Sequence, residues 1–246
     1  IVQVVVQWRG KLETIYDALV AFGGAVVGSL VFAFTDSHWF NAVEAEVYAM
    51  STFFTAIVVW LILHWYIKAD EKGHERYILI IAYMIGLATG LHLLNLLTLP
   101  FVALIIYFRK YRPKVPHGSV IDHTENGERV YQEKTVTFNF ILSQSFWMMV
   151  FITGVVFFII HNVIIKGLPK IAASFIGVGG TALLILAIFG GMVWAIVEKR
   201  KIYSVVLSSM VLILIGYSTY ALIFIRSNQN PGIDENDPET VEAFIS

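Results

Sequence analysis

Glu44, Glu46, His92, Asn95 and Arg226 interrupt or border long apolar runs, and chemistry in this chain would fall to them. A carboxylate can take a proton from a hydroxyl group, and a histidine or an amide can hydrogen-bond a polar ligand. The planar donor fork of arginine suits a phosphate or diphosphate. Spacing limits what these groups can share. Glu44 and Glu46 are two apart, so on a helix they point about 200° away from each other. They share a face only in an extended segment. Glu44 and Tyr48 are four apart and do share a helical face. His92 and Asn95 stand at i,i+3. Each residue also has a plainer reading. Asp36 and Asn41 can cap helices. His92 and Asn95 can hydrogen-bond between helices. Arg226 can snorkel to lipid phosphates. An ionised Glu46 near the centre of a membrane would cost roughly 2.5–3.5 kcal/mol on insertion scales, which favours a cavity-facing role.

The elements that must position these groups are membrane helices. The chain is 57% hydrophobic and 14% charged, whereas soluble domains carry about 25% charged residues. Stretches long or nearly long enough to span a bilayer run over 16–34, 45–67, 77–92, 95–109, 138–163, 172–197 and 203–225. This predicts an all-α polytopic membrane protein of about seven transmembrane helices. The third and fourth stretches are short, and their alternative is one long helix. With no cysteine there is no disulfide framework and no thiolate metal site.

Charge chooses between the two topologies. With a hairpin at 90–96, 14 of the 17 Lys and Arg fall on one side. Only Lys166, Lys170 and Arg226 lie on the other. Without the hairpin the split is nine against eight. The positive-inside rule favours the hairpin, with a cytoplasmic N-terminus and an extracytoplasmic C-terminal tail. The sparse outer side then holds Asp36, His38, Glu44, Glu46, His92, Asn95 and Arg226. The expected organisation is a four-span group over 1–108 with an outer-face polar site, then a cytoplasmic connector over 109–137 with a turn at Asn126-Gly127. A three-span group over 138–226 and an acidic outer tail over 227–246 follow. Gly23-Gly24, Gly179-Gly180 and Gly190-Gly191 are the expected places for close helix packing or bends. Gln144 and Ser145 are expected to bond across helices. His64 and His74, near the basic boundary, read as structural.

Three stretches carry a family resemblance: Asn41 to Ser51 (NAVEAEVYAMS), Gly90 to Pro100 (GLHLLNLLTLP), and Tyr217 to Asn236 (YSTY…IRSNQNPGIDEN). They resemble a bacterial family of multi-spanning proteins related to protein O-mannosyltransferases, the transmembrane-protein-260-like group. The resemblance implies a GT-C glycosyltransferase fold in a bacterial inner (plasma) membrane. It implies transfer of a sugar from a polyprenyl-phosphate donor to a protein or glycan acceptor at the extracytoplasmic face. It also implies that an acidic residue of the first outer loop serves as base or metal contact. That residue would lie before Ile1, the chain reading as a fragment of a longer protein. Matching positions are Glu44, Glu46, Tyr48, His92, Asn95 and Arg226. Glu46 and Glu44 are the candidate catalytic residues, and His92, Asn95, Tyr48 and Arg226 the candidate substrate contacts. No cofactor is assigned, although the chemistry admits a divalent metal. Membrane lipids are expected partners and nucleic acid is not. Two other classes remain. A transporter or channel predicts ionisable groups at the span centres, which are nearly free of them. A non-catalytic membrane scaffold predicts no sugar transfer.

Overall fold

The computed structural model describes residues 1–10, 12–43, 47–110, 122–123, 129–130, 143–174, 177–232 and 239. The protein is an all-α polytopic membrane protein, with one two-residue strand pair among its described residues. Its first elements are α1 (Val2–Arg9), α2 (Ile15–Ala33), α3 (Asp36–Val43), α4 (Tyr48–Lys68) and α5 (Glu75–Thr89). A 3₁₀ turn, Leu93–Leu97, leads into α6 (Thr98–Lys110). After it come α7 (Gln144–Phe158) with a widened extension Ile159–Ile165, α8 (Gly167–Ala173), α9 (Gly177–Val197), α10 (Lys201–Tyr217) and α11 (Ala221–Ser227). In the connector, β1 (Asp122–His123) pairs antiparallel with β2 (Arg129–Val130). The turn expected at Asn126-Gly127 lies outside the described residues.

Among the described residues, six helical segments are long and apolar enough to cross a membrane: 15–33, 48–68, 93–110, 144–171, 177–197 and 201–227. The seventh expected span is α5, with 15 residues. At 1.5 Å per residue it rises about 22 Å, short of the roughly 30 Å hydrocarbon core. If its basic end sits at one surface, its far end stops below the other. Local sequence explains several boundaries. Thr14 and Asp17 form a reciprocal capping box that starts α2. Ser143 caps α7 by accepting from the Phe146 amide at 3.2 Å. Asp36 lies in the first turn of α3, where an acid favours the helix dipole. Asn41, expected to cap the next helix, lies inside α3 instead.

α5 is the centre of the bundle, and α10 is its principal neighbour. Their backbones nearly touch. A Cβ on Gly86 would stand 2.9 Å from the Ile213 Cα and closer still to its carbonyl oxygen. A Cβ on Gly216 would stand 2.6 Å from the Leu87 nitrogen. Of the glycines in the three expected pairs, Gly23, Gly24, Gly179 and Gly190 have nothing within 4 Å of an added Cβ, whereas Gly191 would stand 3.5 Å from the Leu207 side chain of α10. Around the α5–α10 crossing lie Ile62, Leu96, Ile85 and Ile213, the centre of the buried apolar cluster.

Contacts along α5 fix the direction of α10. Glu75, at its start, pairs with Lys201 at 2.5 Å. Gly86 meets Ile213, and Gly90 lies beside Thr219 and Tyr220. The two helices are therefore parallel. Parallel α5 and α10 agree with a chain that turns back between α5 and α6. A single long span over both would reverse α10. The basic residues gather accordingly. Arg109 reaches the Tyr66 carbonyl at 3.0 Å and pairs with Asp70, and Lys110 donates to the Ala69 carbonyl at 3.3 Å. The Arg109 guanidinium holds the Asp70 carboxyl below its ordinary range. His74 and His64 are structural here as expected: the Trp65 indole donates to His74 Nδ1 at 3.0 Å, and the Gln3 amide lies 2.6 Å from His64 Nδ1. Ser145 bonds across to Tyr107 of α6 at 3.0 Å.

Two predictions follow from this packing. Gly86→Ala should lower the thermal midpoint strongly, since overpacking a tight contact costs about 1–3 kcal/mol. Gly24→Ala, in open space, should leave it unchanged. Thermal unfolding in detergent compares the two. Because the chain has no native cysteine, single cysteines can map sidedness. Ser37→Cys and Lys170→Cys should react with an impermeant maleimide on intact cells, and Lys72→Cys and Lys199→Cys only after lysis. Opposite labelling of Ser37 and Lys170 would break the topology.

Candidate functional site

Opposite the basic end, the start of α4 and the α5–α6 hairpin build a small polar group. Asn95 is its anchor. It is 2% exposed, and its side chain is engaged at both ends. Its Oδ1 accepts from Ser51 (3.2 Å) and Thr55 (3.3 Å), successive turns of α4. Its Nδ2 donates to the carbonyls of Ala88 (3.2 Å) and His92 (3.0 Å). Its own carbonyl accepts from Thr98 at 2.7 Å. One amide thus joins α4, the end of α5, the turn and the start of α6. Irregular backbone at membrane depth needs this kind of internal satisfaction.

His92 sits on top of this anchor. Its backbone is extended, and its Nδ1 accepts from the Leu94 amide at 3.1 Å, capping the 3₁₀ turn. An accepting Nδ1 carries no proton, so in the neutral ring the hydrogen is on Nε2. The ring lies 5.4 Å from that of Tyr48, tilted by 51°. Tyr48 opens α4 and is 43% exposed. The structure thus brings Tyr48 beside His92, whose carbonyl Asn95 holds. Glu44 and Glu46 lie outside the described residues. They precede Tyr48 by four and two positions. Arg226 is on the short helix α11, is exposed, and donates to Gln229 at 3.2 Å. It stands six residues beyond Tyr220, about 9 Å further along a helix. Tyr220 itself is stacked on Tyr217 at 5.6 Å and borders Gly90.

The same end holds α3, where His38 lies 4.6 Å from Phe32 and Trp39 stacks on Phe34 at 5.9 Å. Trp39 and Phe40 are exposed, as aromatics at a membrane boundary often are. Among the described residues no three His, Asp or Glu side chains gather as metal ligands. One feature had no counterpart in the sequence reading. His161 lies in a wide helical turn, and its Nδ1 is buried without a hydrogen-bond partner among the described residues. A His-Asn pair inside an apolar run was the available signal.

Residues 1–115 match the family model described as Protein O-mannosyl-transferase TMEM260 N-terminal domain. The first half of the chain is similar to that domain. The matched stretch includes the hairpin, Tyr48, His92 and Asn95 and ends just after α6. No curated protein and no solved structure matches the chain.

Asn95→Leu should destabilise the protein by about 1–3 kcal/mol, because two hydroxyls and two carbonyls each lose a hydrogen bond. Arg226→Gln, at an exposed site, should change stability by less than about 0.5 kcal/mol. Thermal unfolding of both variants tests whether Asn95 holds the hairpin as described.

Proposed function

We propose that the chain belongs to a membrane glycosyltransferase, O-mannosyltransferase-like and of GT-C type, that moves a sugar from a polyprenyl-phosphate donor to an acceptor hydroxyl. The match of residues 1–115 to a protein O-mannosyl-transferase family carries this reading. Support comes from a polar group built at the end opposite the basic cluster, on a hairpin recessed by the short α5. The positive-inside rule makes that end extracytoplasmic. The resemblance of the three sequence stretches to a bacterial family points to the bacterial inner (plasma) membrane.

In the proposed reaction a carboxylate takes the proton of the acceptor hydroxyl. The acceptor oxygen forms a bond to the anomeric carbon, and the bond from that carbon to the phosphate oxygen breaks. Polyprenyl phosphate leaves with the electron pair, and hydrogen-bond donors stabilise its charge. Glu46 and Glu44 are our candidates for the acceptor side. The Nε2–H of His92 and the hydroxyl of Tyr48 suit the donor side. Asn95 holds the segment that presents His92, and Arg226 suits the phosphate.

The test is sugar transfer by the purified protein from polyprenyl-phosphate-mannose in lipid vesicles. Glu46→Gln should reduce kcat by about 10²-fold or more, and His92→Ala should raise KM for the donor. Full activity in both variants would refute the site. Solute flux through vesicles without a donor would favour a transporter.

A further inference from the structure

At the basic end several charges are engaged within the protein. Lys68 pairs with Glu71 at 3.8 Å, Lys201 with Glu75 at 2.5 Å, and Arg109 with Asp70. Lys110 is held by the Ala69 carbonyl. Lys199 and Arg200 differ. Both are exposed, and neither side chain has a hydrogen-bond or ion-pair partner among the described residues. With Glu198 they form the whole link between α9 and α10.

The shape of this link is fixed by the backbone. The Arg200 amide donates to the Ala195 carbonyl at 2.9 Å and the Lys199 amide to the Ile196 carbonyl at 3.1 Å, which closes the last turn of α9. The closure puts Lys199 at φ 54°, in the left-handed region. Glycine is the usual residue there, because it has no Cβ to clash. A lysine at this point adds a conformational cost and an exposed cation. The dipole of α9 favours a cation at its C-terminal end, whereas that of α10 opposes Arg200 and Lys201 at its N-terminus. Helix dipoles therefore do not account for the group.

Apolar side chains surround the link. Trp194 and Val197, three apart on one face of α9, are exposed. So are Ile202 and Tyr203 at the start of α10. Two unpaired cations thus stand at the tip of a lipid-facing helical hairpin, where headgroups lie. An ammonium and a planar guanidinium side by side, with apolar surface next to them, complement a phosphate that carries hydrocarbon chains.

We propose that the Lys199–Arg200 turn binds the headgroup of an anionic phospholipid of the cytoplasmic leaflet, with its chains along Trp194, Val197, Ile202 and Tyr203. A zwitterionic lipid offers the same phosphate, but its choline offsets the charge. Such binding needs no sugar transfer and stands apart from it.

The experiment places the full chain in phosphatidylcholine nanodiscs that carry increasing amounts of phosphatidylglycerol with brominated chains, which quench tryptophan on contact. Trp194 is the reporter, read as the difference between the protein and its Trp194→Phe variant. Brominated phosphatidylglycerol should reach half-quenching at a mole fraction at least about fivefold lower than brominated phosphatidylcholine, the effect expected of one basic residue at a lipid surface. Lys199→Gln and Arg200→Gln should each raise that fraction about fivefold. Lys199→Arg should retain it. Lys72→Gln, at an exposed lysine of the α4–α5 link, should change it less than about twofold if the site is local. Lys199→Gly removes the charge and suits the left-handed backbone, so it should weaken binding without lowering the thermal midpoint in phosphatidylcholine. Equal quenching by the two lipids, or unchanged quenching in Lys199→Gln, would overturn the proposal. So would an equal loss in Lys72→Gln, which would mean a diffuse field in place of a site. Displacement of the lipid by soluble glycerol phosphate would make this a free-phosphate site and overturn it too.

Discussion

The bundle depends on the contact of α5 with α10 at Gly86 and Gly216. Inside a bilayer, helices gain little hydrophobic free energy from leaving lipid for one another. They associate where small residues let backbones approach and dispersion contacts accumulate. Here the carbonyl of Ile213 occupies the space a Gly86 side chain would need, and the Gly216 face lies against the backbone of Tyr83 to Leu87. Such a contact has one register. With it fixed, Glu75 falls beside Lys201 at one end, and Gly90 falls beside Tyr220 at the other. The second and third resemblance stretches, more than a hundred residues apart in sequence, are neighbours because of it.

That register also explains how a sparse set of polar groups can occupy a recessed position. α5 is short, yet both its ends are secured: by the ion pair to Lys201 and by Asn95 under the hairpin. At the basic end, Arg109 and Lys110 are engaged by Asp70 and by the carbonyls of Tyr66 and Ala69. Those cations close the loop between α4 and α5 as well as setting the charge asymmetry. At the opposite end the hydrogen bonds of Asn95 and His92 are between neutral groups, which favours a fixed arrangement of the hairpin.

Much of this fold was legible in the sequence because the relevant signals are additive. A span is a sum of transfer free energies over about 20 residues, so one polar side chain does not hide it. The expected spans lie within a few residues of most of the helices seen, and the charge count chose the hairpin that parallel α5 and α10 support. What was not legible depends on single contacts. Gly86 and Gly216 look less conspicuous than the glycine doublets, but only the facing helix decides which glycine is crowded. Asn95 was read as either a ligand contact or an interhelical bond. Its four side-chain partners come from α4, α5 and the turn, which no local pattern joins. The wide turn at His161 was invisible because hydropathy has no term for a change of helical pitch.

The geometry of His92 bears on how chemistry would be divided. Its Nδ1 is committed to the Leu94 amide, and that bond starts the turn that Asn95 locks. With Nδ1 accepting, the neutral ring presents Nε2–H as a donor. Asn95 has no spare hydrogen-bonding capacity on its Nδ2, since both hydrogens are used. The carboxylates proposed for the acid–base step lie outside the hairpin in sequence. Glu44 and Glu46 are the nearest carboxylates in sequence to Tyr48, which the hairpin presses against through His92.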